Sequence, residues 1–207
     1  MHERRWNAAL GPLVLAALWC APGAARAGVI PPTFRAASVS YGAPADFDCD
    51  QRADISRCVH TGKWQIDLSG NGFGQWDLAY QGYGGSMAIL LPADYDGDCR
   101  ADLSVKDNYG YWHIDYARDG FGAWNESHPG YGPDSSVPVP ADYDGDSKVD
   151  LGVKDAGGVW YIDYAFDGFG GWNELHPGYG GPAAIPVPAD YDGDRHADLS
   201  IKGDDGC

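Results

Sequence analysis

The chain has 207 residues, with 14 Lys+Arg against 30 Asp+Glu and a formal net charge of -16. Such a surface repels nucleic acid phosphates and anionic lipid, which excludes both as partners. The length, with 44% apolar residues, allows one domain with a real core.

The first segment reads as an address. Arg4 and Arg5 precede an apolar stretch at 8–20, and small residues follow at Ala24-Ala25-Arg26-Ala27. That layout predicts a secretory signal peptide over 1–27, cleaved after Ala27. The apolar stretch is shorter than the roughly 20 residues that span a bilayer. Bulky Trp19 before Cys20 argues against a lipid attachment site. The expectation is a secreted protein, extracellular or periplasmic, without membrane insertion and with one repeat domain over 28–207. Losing Glu3, Arg4, Arg5 and Arg26 leaves 11 Lys+Arg against 29 Asp+Glu, a net charge of -18. Four cysteines then remain, Cys49, Cys58, Cys99 and Cys207. They permit two disulfides in three connectivities. No Cys/His spacing suits zinc.

After the leader, one unit repeats. Pro-Ala-Asp-Tyr-Asp-Gly-Asp starts at Pro92, Pro140 and Pro188, and Pro-Ala-Asp-Phe-Asp-Cys-Asp starts at Pro44. Every step is 48 residues. Trp64, Trp112 and Trp160 keep the same step, as do Trp76, Trp124 and Trp172, and Tyr83, Tyr131 and Tyr179. A first strand is expected within 37–43. Later, Leu103 and Val105 alternate with Ser104 and Lys106, and Trp112, Ile114 and Tyr116 with His113, Asp115 and Ala117. Period two with aromatic and β-branched residues marks half-buried strands. Asn71-Gly72, Asp119-Gly120 and Asp167-Gly168 suit tight turns. The expected fold is all-β: tandem 48-residue antiparallel blades, β-propeller-like, with a stacked solenoid as the competing architecture.

Four acidic loops carry the chemistry, at 46–54, 94–102, 142–150 and 190–198. They offer Asp46, Asp48, Asp50 and Asp54; Asp94, Asp96, Asp98 and Asp102; Asp142, Asp144, Asp146 and Asp150; and Asp190, Asp192, Asp194 and Asp198. Four carboxylates within nine residues repel one another unless a cation sits among them. Calcium takes six to eight oxygens at about 2.3 to 2.6 Å, and alternating acids on a curled loop can supply them. The seventh position, Arg52, Arg100, Lys148 or His196, would add a backbone carbonyl. Magnesium prefers fewer protein ligands and more waters. The loop is not an EF-hand. Its sixth position holds Gln51, Cys99, Ser147 and Arg195 instead of Gly, and its twelfth holds Arg57, Val105, Val153 and Ile201 instead of Glu.

The acidic loop resembles that of the FG-GAP/VCBS repeat family, known from integrin α-subunit propellers and many bacterial exported proteins. The likeness covers about 34–202. It is carried also by the following strands Asp102 to Lys106, Asp150 to Lys154 and Asp198 to Lys202, and by Tyr83-Gly84, Tyr131-Gly132 and Tyr179-Gly180. The resemblance implies propeller blades with calcium bound in loops between strands.

The remaining candidates are fewer. Repeated tryptophans read first as packing between repeats. Trp76, Trp124 and Trp172, beside glycine-rich loops, are the candidates for contact with a glycan. His128 and His176, in His-Pro-Gly-Tyr-Gly, read as turn residues. His60, His113 and His196 do not repeat, and no nucleophile is evident beside them. Lys106, Lys154 and Lys202 are expected to pair with acids such as Asp115 and Asp163. Nearly everything is repeated, whereas a catalytic centre is one asymmetric constellation, so no enzyme is expected. The leading reading is a binding or adhesion module for a glycan or protein. Its alternatives are a purely structural calcium-stabilised fragment of a larger extracellular protein and, behind it, a polysaccharide hydrolase or lyase. Three repeats and an initial strand fall short of the usual four or more blades. The expectation is therefore an incomplete propeller, or one closed as a homo-oligomer, with strand exchange or a disulfide at Cys207 as one form.

Overall fold

A computed structural model describes residues 41–203 apart from 43, 86 and 134. The expected signal peptide over 1–27, most of the first strand and Cys207 lie outside the described residues.

The fold is all-β, in four successive antiparallel sheets. The first contains β1 (Tyr41–Gly42), β2 (Ile55–Val59), β3 (Lys63–Asp67) and β4 (Leu78–Gln81), in that order. The second is β5 (Ile89–Leu90), β6 (Leu103–Lys106), β7 (Trp112–Asp115) and β8 (Glu126–His128). The third is β9 (Val137–Pro138), β10 (Leu151–Lys154), β11 (Trp160–Asp163) and β12 (Glu174–His176). A two-stranded sheet of β13 (Ile185–Pro186) and β14 (Ile201–Lys202) follows. Each sheet is a meander, so every strand pairs with its neighbour in sequence. Single 3-10 turns follow β3, β7 and β11. They end at Gly72, Gly120 and Gly168, whose φ values of 84°, 90° and 87° explain the Asn/Asp-Gly signals.

The sheets follow one another with an apolar core between each neighbouring pair. Phe47, Trp64, Ile66 and Tyr83 of the first meet Leu90, Leu103 and Val105 of the second. Trp112, Ile114 and Tyr131 meet Leu151 and Val153 in the next core. Val139, Trp160 and Ile162 meet Leu199 and Ile201 in the third. Trp64, Trp112 and Trp160 are fully buried, as their step of 48 implied.

Polar contacts lock the same junctions. The Tyr83 hydroxyl donates to buried Asp115 of the next sheet, and Tyr131 donates likewise to Asp163. The backbone N–H of Gly122 also reaches Asp115, at 2.9 Å, and that of Gly170 reaches Asp163, at 2.8 Å. The lysines expected to pair with these acids reach backbone carbonyls. Lys106 Nζ donates to the Pro133 carbonyl at 3.2 Å, and Lys154 Nζ to that of Gly181 at 2.9 Å.

One core contact differs between repeats. Trp112 Nε1 donates to Ser104 Oγ at 2.8 Å, whereas Trp64 Nε1 and Trp160 Nε1 have no partner among the described residues. Ser104→Ala therefore leaves Trp112 like its two counterparts and costs about 1 kcal/mol. Thermal unfolding should show this as a loss of about 2 to 4 °C. An unchanged Tm would mean that the bond adds nothing.

Candidate metal centres

Each acidic loop joins the first two strands of its sheet and is pinched by a bridge: Ala45 with Asp54, Ala93 with Asp102, Ala141 with Asp150, Ala189 with Asp198. The ninth-position aspartate makes that pinch rigid. Its Oδ2 accepts the N–H of the second loop residue, Phe47, Tyr95, Tyr143 or Tyr191, at 2.7 to 2.8 Å. In the first three loops Oδ1 also accepts the first N–H of the 3-10 turn after the sheet's third strand, at Ser69 (2.8 Å), Ala117 (2.8 Å) and Ala165 (2.9 Å).

The loop itself curls around its first aspartate. Asp94 accepts the N–H of Gly97 at 2.6 Å and that of Cys99 at 2.8 Å, and Asp142 repeats this with Gly145 and Ser147. The fifth-position acids take the N–H of the seventh residue, as Asp98 does from Arg100 at 2.8 Å. The sixth residue is left-handed in every loop: Gln51, Cys99, Ser147 and Arg195 have φ of 67°, 72°, 71° and 78°. That is the conformation glycine supplies in an EF-hand loop. Here non-glycine residues hold it, at a cost of roughly 1 to 2 kcal/mol each.

The curl gathers the acids. In loops one, three and four an oxygen from each of positions one, three and five converges: Asp46, Asp48 and Asp50; Asp142, Asp144 and Asp146; Asp190, Asp192 and Asp194. In loop two the converging trio is Asp94, Asp96 and Asp102. Within each trio the oxygens lie within 4.8 Å of one another. Asp54, Asp150 and Asp198 fall outside these trios, as does Asp98. Arg118 offers loop two a cation, with Nη1 at 2.7 Å from Asp96 Oδ2 and its guanidinium stacked on Tyr116. Loop two is the most buried of the four, and the trio of loop four is fully exposed.

Crowding of acids away from water shows in their protonation. Burial pushes Asp102 up to about 8 and Asp150 up to about 7, with neighbouring carboxylates adding to the shift. Burial also raises Asp94, Asp142, Asp144 and Asp48. A divalent cation at the trio would relieve the same repulsion.

Loops in neighbouring repeats are joined through the backbone. The N–H groups of Ala101, Val149 and Ala197 donate to the carbonyls of Asp46, Asp94 and Asp142, at 2.6, 2.8 and 2.7 Å. Loops one and two are also joined covalently by a Cys49–Cys99 disulfide. That is one of the pairings the cysteine count left open. Cys58 is a free, buried thiol, pushed up to about 11 by burial.

The second tryptophan set divides. Trp124 and Trp172 are half-buried, with ring centroids 4.9 Å from Tyr83 and Tyr131 of the preceding sheet. Trp76 is 38% exposed, with the Arg57 guanidinium 4.5 Å above its ring. Trp76 thus keeps the most open face of the three. His128 and His176 end strands β8 and β12 instead of lying in turns. Each places Nε2 close to the glutamate two residues earlier, at 2.7 Å from Glu126 and 2.6 Å from Glu174.

One association escaped the sequence reading. His113 Nδ1 lies 2.7 Å from Ser127 Oγ, and His113 Nε2 lies 3.6 Å from Asp107 Oδ2. His113 and Ser127 are direct cross-strand partners of β7 and β8. The signal available in sequence was the hairpin register, which sets them opposite one another. Although the order Ser-His-Asp resembles a nucleophilic relay, Ser127 sits on a regular outer strand. Comparison of the chain with protein-family models, with curated proteins and with solved structures finds no match.

Proposed function

We propose that the chain is a secreted calcium-binding repeat protein, its sheets acting as β-propeller-type blades, that works as a binding module for a glycan or protein. The observation that carries the metal reading is the convergence of three carboxylate oxygens within 4.8 Å in each of four equivalent loops. Calcium suits this donor set better than magnesium, because it accepts many oxygens in a flexible shell. The seventh-position carbonyls and the remaining acids would complete that shell. Four ions would set eight positive charges against the -18 of residues 28–207. Because the loops recur with the scaffold, their metal is read as support for the sheets, and ligand recognition belongs to groups that do not repeat.

Isothermal titration of metal-free protein with calcium tests the reading. Saturable binding at up to four sites is expected, with one site lost when Asp142→Asn and Asp144→Asn are combined. No binding heat at millimolar calcium would overturn it.

A further inference from the structure

Repeat two differs from the others at one cluster of positions, and these positions meet in a cleft of about 450 Å³. That volume lies within the roughly 300 to 1,000 Å³ of small-molecule sites. Gly84, Ala88 and Val105 supply an apolar floor, Asp107, Asn108 and His113 a polar wall, and Tyr109 and Trp124 an aromatic side.

The polar wall is held in place by its surroundings. Asp107 Oδ1 accepts the N–H groups of Tyr109 and Tyr111, at 2.8 and 2.9 Å, which fixes the carboxylate plane. The His113 ring is stacked between Tyr111, 5.8 Å away at 9°, and Trp124, 5.2 Å away at 29°. The Asp107 carboxylate facing Nε2 favours the tautomer with the proton on Nε2, in which the Ser127 hydroxyl donates to Nδ1. The 3.6 Å between them is longer than a good hydrogen bond. A donor and an acceptor therefore stand side by side, each with capacity left for a ligand. Two adjacent hydroxyls of a sugar ring match that pair. Tyr109 at the rim is 81% exposed and offers its ring to the apolar face of such a ligand.

The other repeats serve as internal controls. The positions of Asp107, Asn108, Tyr109, His113 and Ser127 hold Val59, His60, Thr61, Gln65 and Ala79 in repeat one. In repeat three they hold Asp155, Ala156, Gly157, Tyr161 and Leu175, and the Tyr161 hydroxyl itself reaches Asp155 at 3.3 Å. The scaffold tryptophans and loop aspartates are copied, and Asp107 recurs as Asp155, while Tyr109, His113 and Ser127 are found in repeat two alone. Ser127 does not line the cleft, so it lacks the substrate contact a nucleophile needs; it is a positioning residue for His113.

We propose that this cleft binds one sugar unit of a neutral glycan. His113 Nε2–H donates to one ring hydroxyl, Asp107 Oδ2 accepts from its neighbour, and Tyr109 stacks on the ring. An acidic sugar is disfavoured by Asp107 and by the net charge of -16. This rests on the binding-module reading and gives it a location and a ligand class.

The test uses calcium-treated protein and saturation-transfer NMR with cellobiose, maltose, lactose, chitobiose and the acidic digalacturonate. At least one neutral disaccharide should bind and digalacturonate should not. His113→Ala and Asp107→Asn should each weaken binding about tenfold or more, with the circular-dichroism spectrum and calcium stoichiometry unchanged. Ser127→Ala should weaken it less, and should shift the tautomer signature of the His113 ring nitrogens. Failure of all four neutral disaccharides, equal binding by digalacturonate, or full binding by both cleft variants overturns the proposal. An intact calcium titration beside any of these leaves the calcium scaffold standing. A protein ligand captured at the cleft in place of sugar would likewise overturn it.

Discussion

Calcium added to metal-free protein raises its Tm by roughly 5 to 10 °C for each loop that fills, and excess EDTA reverses the gain. The size follows from linkage: one site at a hundred times its Kd stabilises the folded state by about 2.7 kcal/mol. In a domain of this size, 1 kcal/mol moves Tm by about 2 to 4 °C. The effect must also depend on pH, with a sign set by the loop acids. Burial raises Asp102 to about 8 and Asp150 to about 7 in the folded, metal-free state, from an ordinary 3.8. Between those values the folded chain holds protons that the unfolded chain has released. The contribution is therefore fully present below about pH 4 and is lost as pH rises toward 7 to 8. Calcium acts the other way, because its ligands bind best when deprotonated. The Tm gap between calcium and EDTA should thus widen steadily from pH 5 to pH 8. A gap that is flat or narrows over that range would contradict the assignment of the loop acids to a metal site.

The second large effect concerns the joints between sheets. Asp115→Ala leaves the Tyr83 hydroxyl inside the protein without its charged acceptor, while the Gly122 N–H keeps the Tyr83 oxygen at 2.7 Å. A buried donor left unpaired costs about 1 to 3 kcal/mol, so the variant should lose about 2 to 3 kcal/mol in denaturant unfolding. Asp163→Ala should lose a similar amount, since Asp163 serves Tyr131, Gly170 and Gly171. Asp67 is the built-in comparison. It occupies the same position in the first sheet, yet among the described residues it accepts only the Gly74 N–H, at 2.8 Å. Asp67→Ala should therefore cost about 1 to 2 kcal/mol. Equal losses in all three variants would show that the tyrosine joint contributes nothing.

How much of this was legible in the sequence depends on the range of each interaction. The alternation around Trp112 and Ile114 and the Asp-Gly turns are local, so the antiparallel meanders could be read directly. Burial of Trp64, Trp112 and Trp160 followed from their fixed step. The acidic loops were legible as clusters, but the division of labour within them was not. Asp54 and Asp150 look like any other ligand in sequence, and only the folded loop shows both their oxygens turned to backbone N–H groups. Asp115 posed a different difficulty. Its partner Tyr83 lies 32 residues away in another sheet, while Lys106 lies much nearer in sequence. The pairing of Cys49 with Cys99 was equally hidden, because it depends on how two neighbouring loops abut. His113 and Ser127 were concealed by their failure to repeat, since the period drew attention to what is copied.

The Cys49–Cys99 bridge has a mechanical consequence. It spans 50 residues and encloses β2, β3, β4 and β5, nearly all of the first sheet. A force pulling on the two ends of the domain would pass through the sulfur atoms and leave that segment slack. About 165 to 180 Å of extended chain would stay hidden under load for as long as the bond is oxidised. Strands β6, β7 and β8 and the third sheet have no such bypass among the described residues. They would yield first, and the oldest geometry of the molecule under tension would be the sheet bearing Trp76.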